Sequence, residues 1–266
     1  MSSSFGAVAH ENSRMPDSIL TIVLPIAGRG SRFADAGYTD PKPLIPIFGT
    51  PMIALVVANV RPSRPHQFVF VAQQEHLDGT TLRNVLERSA PGCAIVSVDH
   101  VTDGAACTVL AAKEFIDNEQ PLMLANSDQY VDTDINAFLA MSDQSDVDGV
   151  IMTFPADHPK WSYVRRDKTQ NVVEVLEKQV VSNEATVGIY NFRSGHKFVA
   201  AAETMISQNK RVNGEFYVAP VYNELIARDA HIITHDIGPR MHGLGVPTDL
   251  EQFMALPWTR ARARAA

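Results

Sequence analysis

Cysteine is nearly missing from these 266 residues; there are two, Cys93 and Cys107. They offer no metal-binding spacing and no disulfide framework, so a reducing, cytoplasmic setting is expected. Long apolar runs are missing as well: the longest early one, Ile19 to Ala27, is too short to span a bilayer and carries Pro25. No membrane partner is expected. Positive charge is in deficit, with 23 Lys and Arg against 30 Asp and Glu and a formal net charge of −7. That balance excludes a general nucleic-acid coat, which needs clustered cations, but not a mononucleotide, which needs only a few. No internal repeat and no Gly/Ser linker interrupts the chain, so two hinged domains are not expected. Residues 1–18 lack the basic start and apolar middle of a secretion signal and read as a loose tail. The basic, low-complexity residues 257–266 read the same way.

What remains, 45% hydrophobic and 20% charged, is ordinary for a globular chain. "SILTIVLPIA" is an apolar, β-rich run ending at glycine, as a strand buried on both faces would be. "TPMIALVVANV" predicts a helix with Thr50 as its cap and Pro51 at its first position. "HQFVFVAQ", "CAIVSVDH" and "PLMLANSDQ" predict further strands, with helices in "LRNVLERSA" and "GAACTVLAAKEFI" between them. Strands alternating with helices at this spacing predict an α/β fold, a Rossmann-like, doubly wound, mostly parallel sheet. After about residue 145 the texture turns to short strands with polar turns, "DGVIMTFPA" through "EATVGIYNF", which predicts an antiparallel portion. A single domain over 19–256 is expected, with a first half over about 19–145 and a second over about 146–256.

In such a sheet, ligands bind beyond the carboxyl ends of the strands, and the loop after the first strand is the usual phosphate site. Here that loop is "LPIAGRGSRF". Its Gly28-Arg29-Gly30 begins like a dinucleotide fingerprint, but Phe33 holds the third glycine place, and no helix is expected before Pro43. Gly-Lys-Ser/Thr is missing, so it is no P-loop. A glycine turn with Arg32, followed by Lys42 in "DPKPLIPI", offers main-chain N–H groups and two cations to a polyphosphate. The plainer alternative is a surface turn with two solvated cations.

Taken together, G-x-G-x-R followed by Pro-Lys-Pro resembles the signature of the sugar-nucleotide pyrophosphorylases, nucleotidyltransferases that join a nucleoside triphosphate to a sugar 1-phosphate. The resemblance runs from Leu24 to about Phe253 through "GAACTVLAA", "ANSDQYVD", "VLEK", "VGIYNF", "NGEFYVAPVYNELI" and "GLGVPTDLEQF". It implies a nucleotide-binding first half and an acceptor-binding second half. Ala27, Gly28, Gly30 and Gly104 would hold the nucleotide through the main chain, and Arg32 and Lys42 would take the β and γ phosphates. Asp128 would bind Mg²⁺, and Lys178 would meet the acceptor phosphate beside Tyr163, Tyr190 and Glu215. The variant pattern is similar to members that activate capsule sugars, phosphocholine or other unusual phosphorylated acceptors, which favours CTP among the nucleotides. Dimers or tetramers are also common in the family.

One family feature is absent. A second metal aspartate, expected two residues before the final Gly-Thr-Pro, falls on Gly243, which leaves its role to Asp249 or His242. Two other readings follow from the residues. "DTD", Asp132 to Asp134, is an Asp-x-Asp of the kind glycosyltransferases use to hold a metal, although Asp134 also suits a helix cap. A catalytically inactive, nucleotide-binding regulatory subunit would account for the missing aspartate. His231 and His235, flanking an apolar strand, are read as structural.

Overall fold

The first apolar run becomes the centre of the sheet. In the computed structural model, which describes residues 18–266, it forms β1 (Leu20–Pro25). Alternation sends Ile22 and Leu24 into one core and Val23 into another on the opposite face, so both faces of the strand are covered. At ~1.5–3 kcal/mol for each fully buried aliphatic side chain, this run anchors the fold.

The chain then makes α1 (Ser31–Asp35), a 3₁₀ turn at Lys42–Leu44, the small hairpin β2 (Pro46–Ile47) and β3 (Thr50–Pro51), and α2 (Met52–Val60). Two expectations are corrected here. A helix does form before Pro43, because Gly30 adopts a left-handed conformation (φ 63°) and starts α1 without any side-chain cap. Thr50 is not the cap of α2; its hydroxyl donates to the Ala263 carbonyl at 2.6 Å, and the helix begins after Pro51.

Next come β4 (His66–Gln73), α3 (Gln74–Gly79), α4 (Leu82–Ser89) and β5 (Ala94–Val98). The expected single helix over 104–116 is two, α5 (Ala105–Leu110) and α6 (Lys113–Ile116). β6 (Leu122–Ala125), β7 (Gln129–Val131) and α7 (Ile135–Met141) complete the first half, and Asp134 caps α7 by accepting from the Asn136 amide. The second half supplies β8 (Gly149–Pro155), β9 (Ser162–Arg166), β10 (Val172–Glu177) and β11 (Glu184–Phe192). It continues with α8 (Gly195–Ser207), α9 (Val221–Ile226), β12 (Ile232–Asp236), β13 (Met241–Gly243), α10 (Pro247–Ala255) and α11 (Thr259–Ala265).

The main sheet runs β10-β9-β11-β6-β1-β4-β5, with β8 between β11 and β12. β6, β1, β4 and β5 are mutually parallel, while β11 lies antiparallel to β6, β8 and β9. That is the expected parallel portion joined to an antiparallel one. At the join, β11 slips register against β8 between Thr186 and Tyr190, and Gly188 takes a positive φ of 92°. Such an irregularity next to a cleft re-aims the strand. Residues 257–266, expected as a loose tail, instead carry α11, with Thr259 and Ala263 fully buried. Trp258 packs on Tyr130, Phe253 and His242 with ring centroids 5.3–5.8 Å apart, which holds the segment down. The tail expected at 1–18 lies, save Ser18, outside the described residues. Among the described residues no helix is long and apolar enough to cross a membrane.

Candidate functional site

A cleft of about 940 Å³ opens beyond the carboxyl end of β1. One wall is the glycine loop. Gln73, at the end of β4, donates its amide to the Ala27 carbonyl at 2.8 Å, which leaves Gln73 Oε1 as an acceptor. Gly28 is exposed, and a Cβ there would meet nothing within 4 Å. At Gly30 a Cβ would press on Lys42 Cβ at 3.2 Å, so the left-handed glycine lets the loop lie against the stem of Lys42. Arg29 and Arg32 are exposed on the cleft and have no partner among the described residues. Arg29, which the sequence offered only as a surface cation, lines the cleft as well.

Lys42 and Asp128 meet directly, Nζ to Oδ2 at 2.6 Å, although they lie 86 positions apart. Asp128 sits in the turn between β6 and β7, and its carbonyl accepts from the Leu244 amide at 2.7 Å. That bond brings the β13–α10 turn onto the cleft. A Cβ on Gly245 would stand 2.8 Å from Asp128 Oδ2, and one on Gly243 would stand 2.8 Å from Asp249 Oδ2. Asp249 lines the cleft and pairs with Lys160 at 3.5 Å. His242 does not join it; the ring is drawn into the Tyr130, Phe253 and Trp258 cluster, and burial pushes its pKa down.

Gly104 (φ 129°) is needed for a close main-chain approach: a Cβ there would fall 2.4 Å from the Phe216 carbonyl oxygen. The Phe216 amide donates to Asp103 O, the Ala106 amide donates to Phe216 O, and Arg211 binds Asp103 while lying over the Phe216 ring. The 102–104 loop is thus latched to the second half of the chain.

The wall built by the second half of the chain is a bonded network. Lys178, in a left-handed conformation (φ 57°) just after β10, donates to the Tyr217 hydroxyl at 2.5 Å, and that bond raises its pKa. Its own amide donates to the Trp161 carbonyl at 3.0 Å. Glu177 is buried and accepts from the Ser162 hydroxyl; burial pushes its pKa up against that bond and the Lys178 charge. Tyr190 lies almost wholly buried under the floor, its hydroxyl 2.9 Å from Thr186 Oγ1, and burial raises its pKa far above the ordinary value. Glu215 is exposed at the rim. Tyr163 is the correction in this wall. It is buried in the core with its hydroxyl on the His158 carbonyl at 2.8 Å, and its neighbours Trp161 and Ser162 line the cleft instead. Tyr217, Gln73 and Lys160 went unassigned in the sequence reading, and only proximity across the fold singles them out.

Asp132 and Asp134 do not line the cleft; Asp134 caps α7, and Asp132 lies 3.7 Å from Arg262. The glycosyltransferase reading loses its metal pair. Among the described residues no group of three or more His, Cys, Asp or Glu could hold a metal alone. Asp128 on the cleft wall nevertheless suits Mg²⁺, which takes one or two carboxylates and completes its sphere with phosphate oxygens and water.

A family model described as nucleotidyl transferase matches residues 21–222. The bifunctional protein GlmU of Methanococcus aeolicus is 24% identical over 231 residues, 86% of this chain and 52% of that one. A UTP–glucose-1-phosphate uridylyltransferase of Staphylococcus epidermidis is 27% identical over 141 residues, 46% of this chain and 49% of that one. The chain spans about half the length of the GlmU relative. Among solved structures, a nucleoside-diphosphate-sugar pyrophosphorylase from Vibrio cholerae RC9 superposes with a TM-score of 0.76 at 26% identity, covering 88% of this chain and 100% of that one.

Proposed function

This chain belongs to the nucleotidyl transferase family, and from that premise we propose that it joins a nucleoside triphosphate to a phosphorylated acceptor, a sugar 1-phosphate or similar polar phosphate, with release of pyrophosphate. The observation that carries the reading is the Lys42–Asp128 contact, which couples a cation packed against the glycine loop to a carboxylate of the β6–β7 turn in a cleft that also holds Arg32 and Lys178.

An acceptor phosphate oxygen attacks the α-phosphorus of the triphosphate; the new P–O bond forms as the bond to the β-phosphate oxygen breaks, and pyrophosphate carries that electron pair away. The attacking oxygen is already anionic near neutral pH, so no general base is needed. Repulsion between two polyanions is the main barrier, and positioning with fixed cations lowers it. Arg32 and Lys42 neutralise the β and γ phosphates and the leaving pyrophosphate. Lys178, oriented by Tyr217, meets the acceptor phosphate. Mg²⁺, held by Asp128, would supply further charge neutralisation across the phosphates.

CTP is the first nucleotide to test, and phosphorylated building blocks of capsule or surface glycans are the first acceptors. The free thiols Cys93 and Cys107 suit a cytoplasmic setting. The protein is incubated with each of the common triphosphates, Mg²⁺ and a panel of phosphorylated acceptors, and pyrophosphate is measured. Acceptor-dependent release is expected. Triphosphate binding without release for any acceptor would replace this reading with that of a regulatory subunit.

A further inference from the structure

We infer that Gln73, at the carboxyl end of β4, is a positioning residue for the glycine loop: by holding the Ala27 carbonyl it turns the Gly28 amide toward the cleft, where that N–H donates to the nucleotide. The inference rests on the reading of the cleft as a triphosphate site, and its test reads binding rather than turnover.

The loop needs such a tether. The β1–β4 ladder runs one residue past β1, with the Ile26 amide on the Val71 carbonyl at 2.8 Å. Main-chain bonding resumes at Gly30, whose carbonyl accepts from the Phe33 amide at 3.0 Å. Between these points Ala27, Gly28 and Arg29 make no main-chain hydrogen bond among the described residues. Glycine at 28 removes the steric limits that would fix the backbone there, and a Cβ on it would meet nothing within 4 Å. Among the described residues, Gln73 is the one side chain that bonds this stretch. Its Nε2 donates to the Ala27 carbonyl oxygen at 2.8 Å, with a longer contact of 3.4 Å to the Gly28 carbonyl oxygen.

The consequence is geometric. In a planar trans peptide the carbonyl and the following N–H point opposite ways, so fixing Ala27 O also fixes the Gly28 N–H. Ala27 and Gly28 line the cleft and Gln73 does not, so a carbonyl drawn to Gln73 leaves the N–H for the cleft side. Ala27 is buried, and its carbonyl released from Gln73 would be left without a partner. A loop free to flip this peptide would turn the carbonyl, an acceptor, toward an anionic ligand in place of the donor.

The full chain is titrated by calorimetry with Mg²⁺ and each of CTP, UTP, ATP and GTP, and the tightest binder is carried forward. Gln73→Met keeps the length of the side chain and removes the donor; it should weaken triphosphate binding about threefold to tenfold, the worth of one hydrogen bond. Gln73→Glu should bind no better than Gln73→Met at about pH 7.5, because a carboxylate repels the Ala27 carbonyl. It should regain affinity relative to Gln73→Met as pH falls toward about 4.5, where the carboxyl holds a proton to donate. A merely structural glutamine would lower the melting temperature of both variants and leave triphosphate affinity at the wild-type value throughout. Wild-type affinity in Gln73→Met, or Met and Glu variants that stay equal across the pH range, would overturn the inference and leave the reading of the cleft in place. A wild-type chain that binds none of the four triphosphates would overturn both.

Discussion

The two walls of the cleft are built on opposite plans. The glycine-loop wall offers main chain and exposed cations: Gly28 faces open space, and Arg29 and Arg32 have no partner among the described residues. On the opposite wall, Lys178 is tied to Tyr217 and Trp161, and Glu177 is buried under Ser162. Loose cations suit a triphosphate tail, whose charge is large and the same for every base. A bonded network suits an acceptor that must be told from others, because a mismatched ligand would leave buried polar groups unpaired.

The largest expected effect breaks the Lys42–Asp128 contact. Lys42→Ala and Asp128→Ala should each lower turnover by about 10²- to 10³-fold, the loss typical of a charge-stabilising group. The pair is partly exposed, so unfolding free energy should move by about 1 kcal/mol or less. Steady-state pyrophosphate release and urea denaturation together separate the two. Near-normal rates in a well-folded Asp128→Ala would remove the metal assignment.

Next is the latch that joins the walls. Gly104→Ala would drive a methyl into the Phe216 main chain and should cost about 1–3 kcal/mol of stability, read by urea denaturation. Gly28→Ala, in open space, should cost far less and would show up instead in the KM for triphosphate.

Tyr217→Phe sharpens the comparison. Removing the hydroxyl that holds Lys178 should raise the acceptor KM about threefold to tenfold while the KM for triphosphate stays unchanged. Equal changes in both constants would mean that the walls are not separate sites.

The smallest effect is a pH dependence. Burial raises the Glu177 pKa in the folded chain above its ordinary value of 4.5. The folded state therefore favours the protonated form. Its contribution is fully present below the unfolded pKa and is lost as pH rises through the raised folded value. Relative to Glu177→Gln, the wild type should lose stability over that rise, and melting curves taken across it should converge at the acid end.

Much of this contrast was legible in the chain itself, and the residues show where legibility stopped. Lys42 stood out because it follows a glycine turn, whereas Asp128 and Lys178 stood out only through the resemblance of "ANSDQYVD" and "VLEK" to family segments. Tyr163 misled because β9 residues alternate between faces, and only pairing with β10 and β11 decides which face meets the cleft. Tyr217 became visible only when loops distant in sequence came together. The C-terminal helix was hidden because its order comes from Trp258 and the buried Ala263 rather than from its own repetitive composition.

The central claim, that the bond broken lies between the α- and β-phosphates, is tested most directly by phosphorus label. With an acceptor that supports turnover, label at the α-position should appear in the acceptor product, and label at the γ-position should leave wholly in pyrophosphate. Label from the γ-position on the acceptor, or released as free phosphate by the purified protein, would contradict the account.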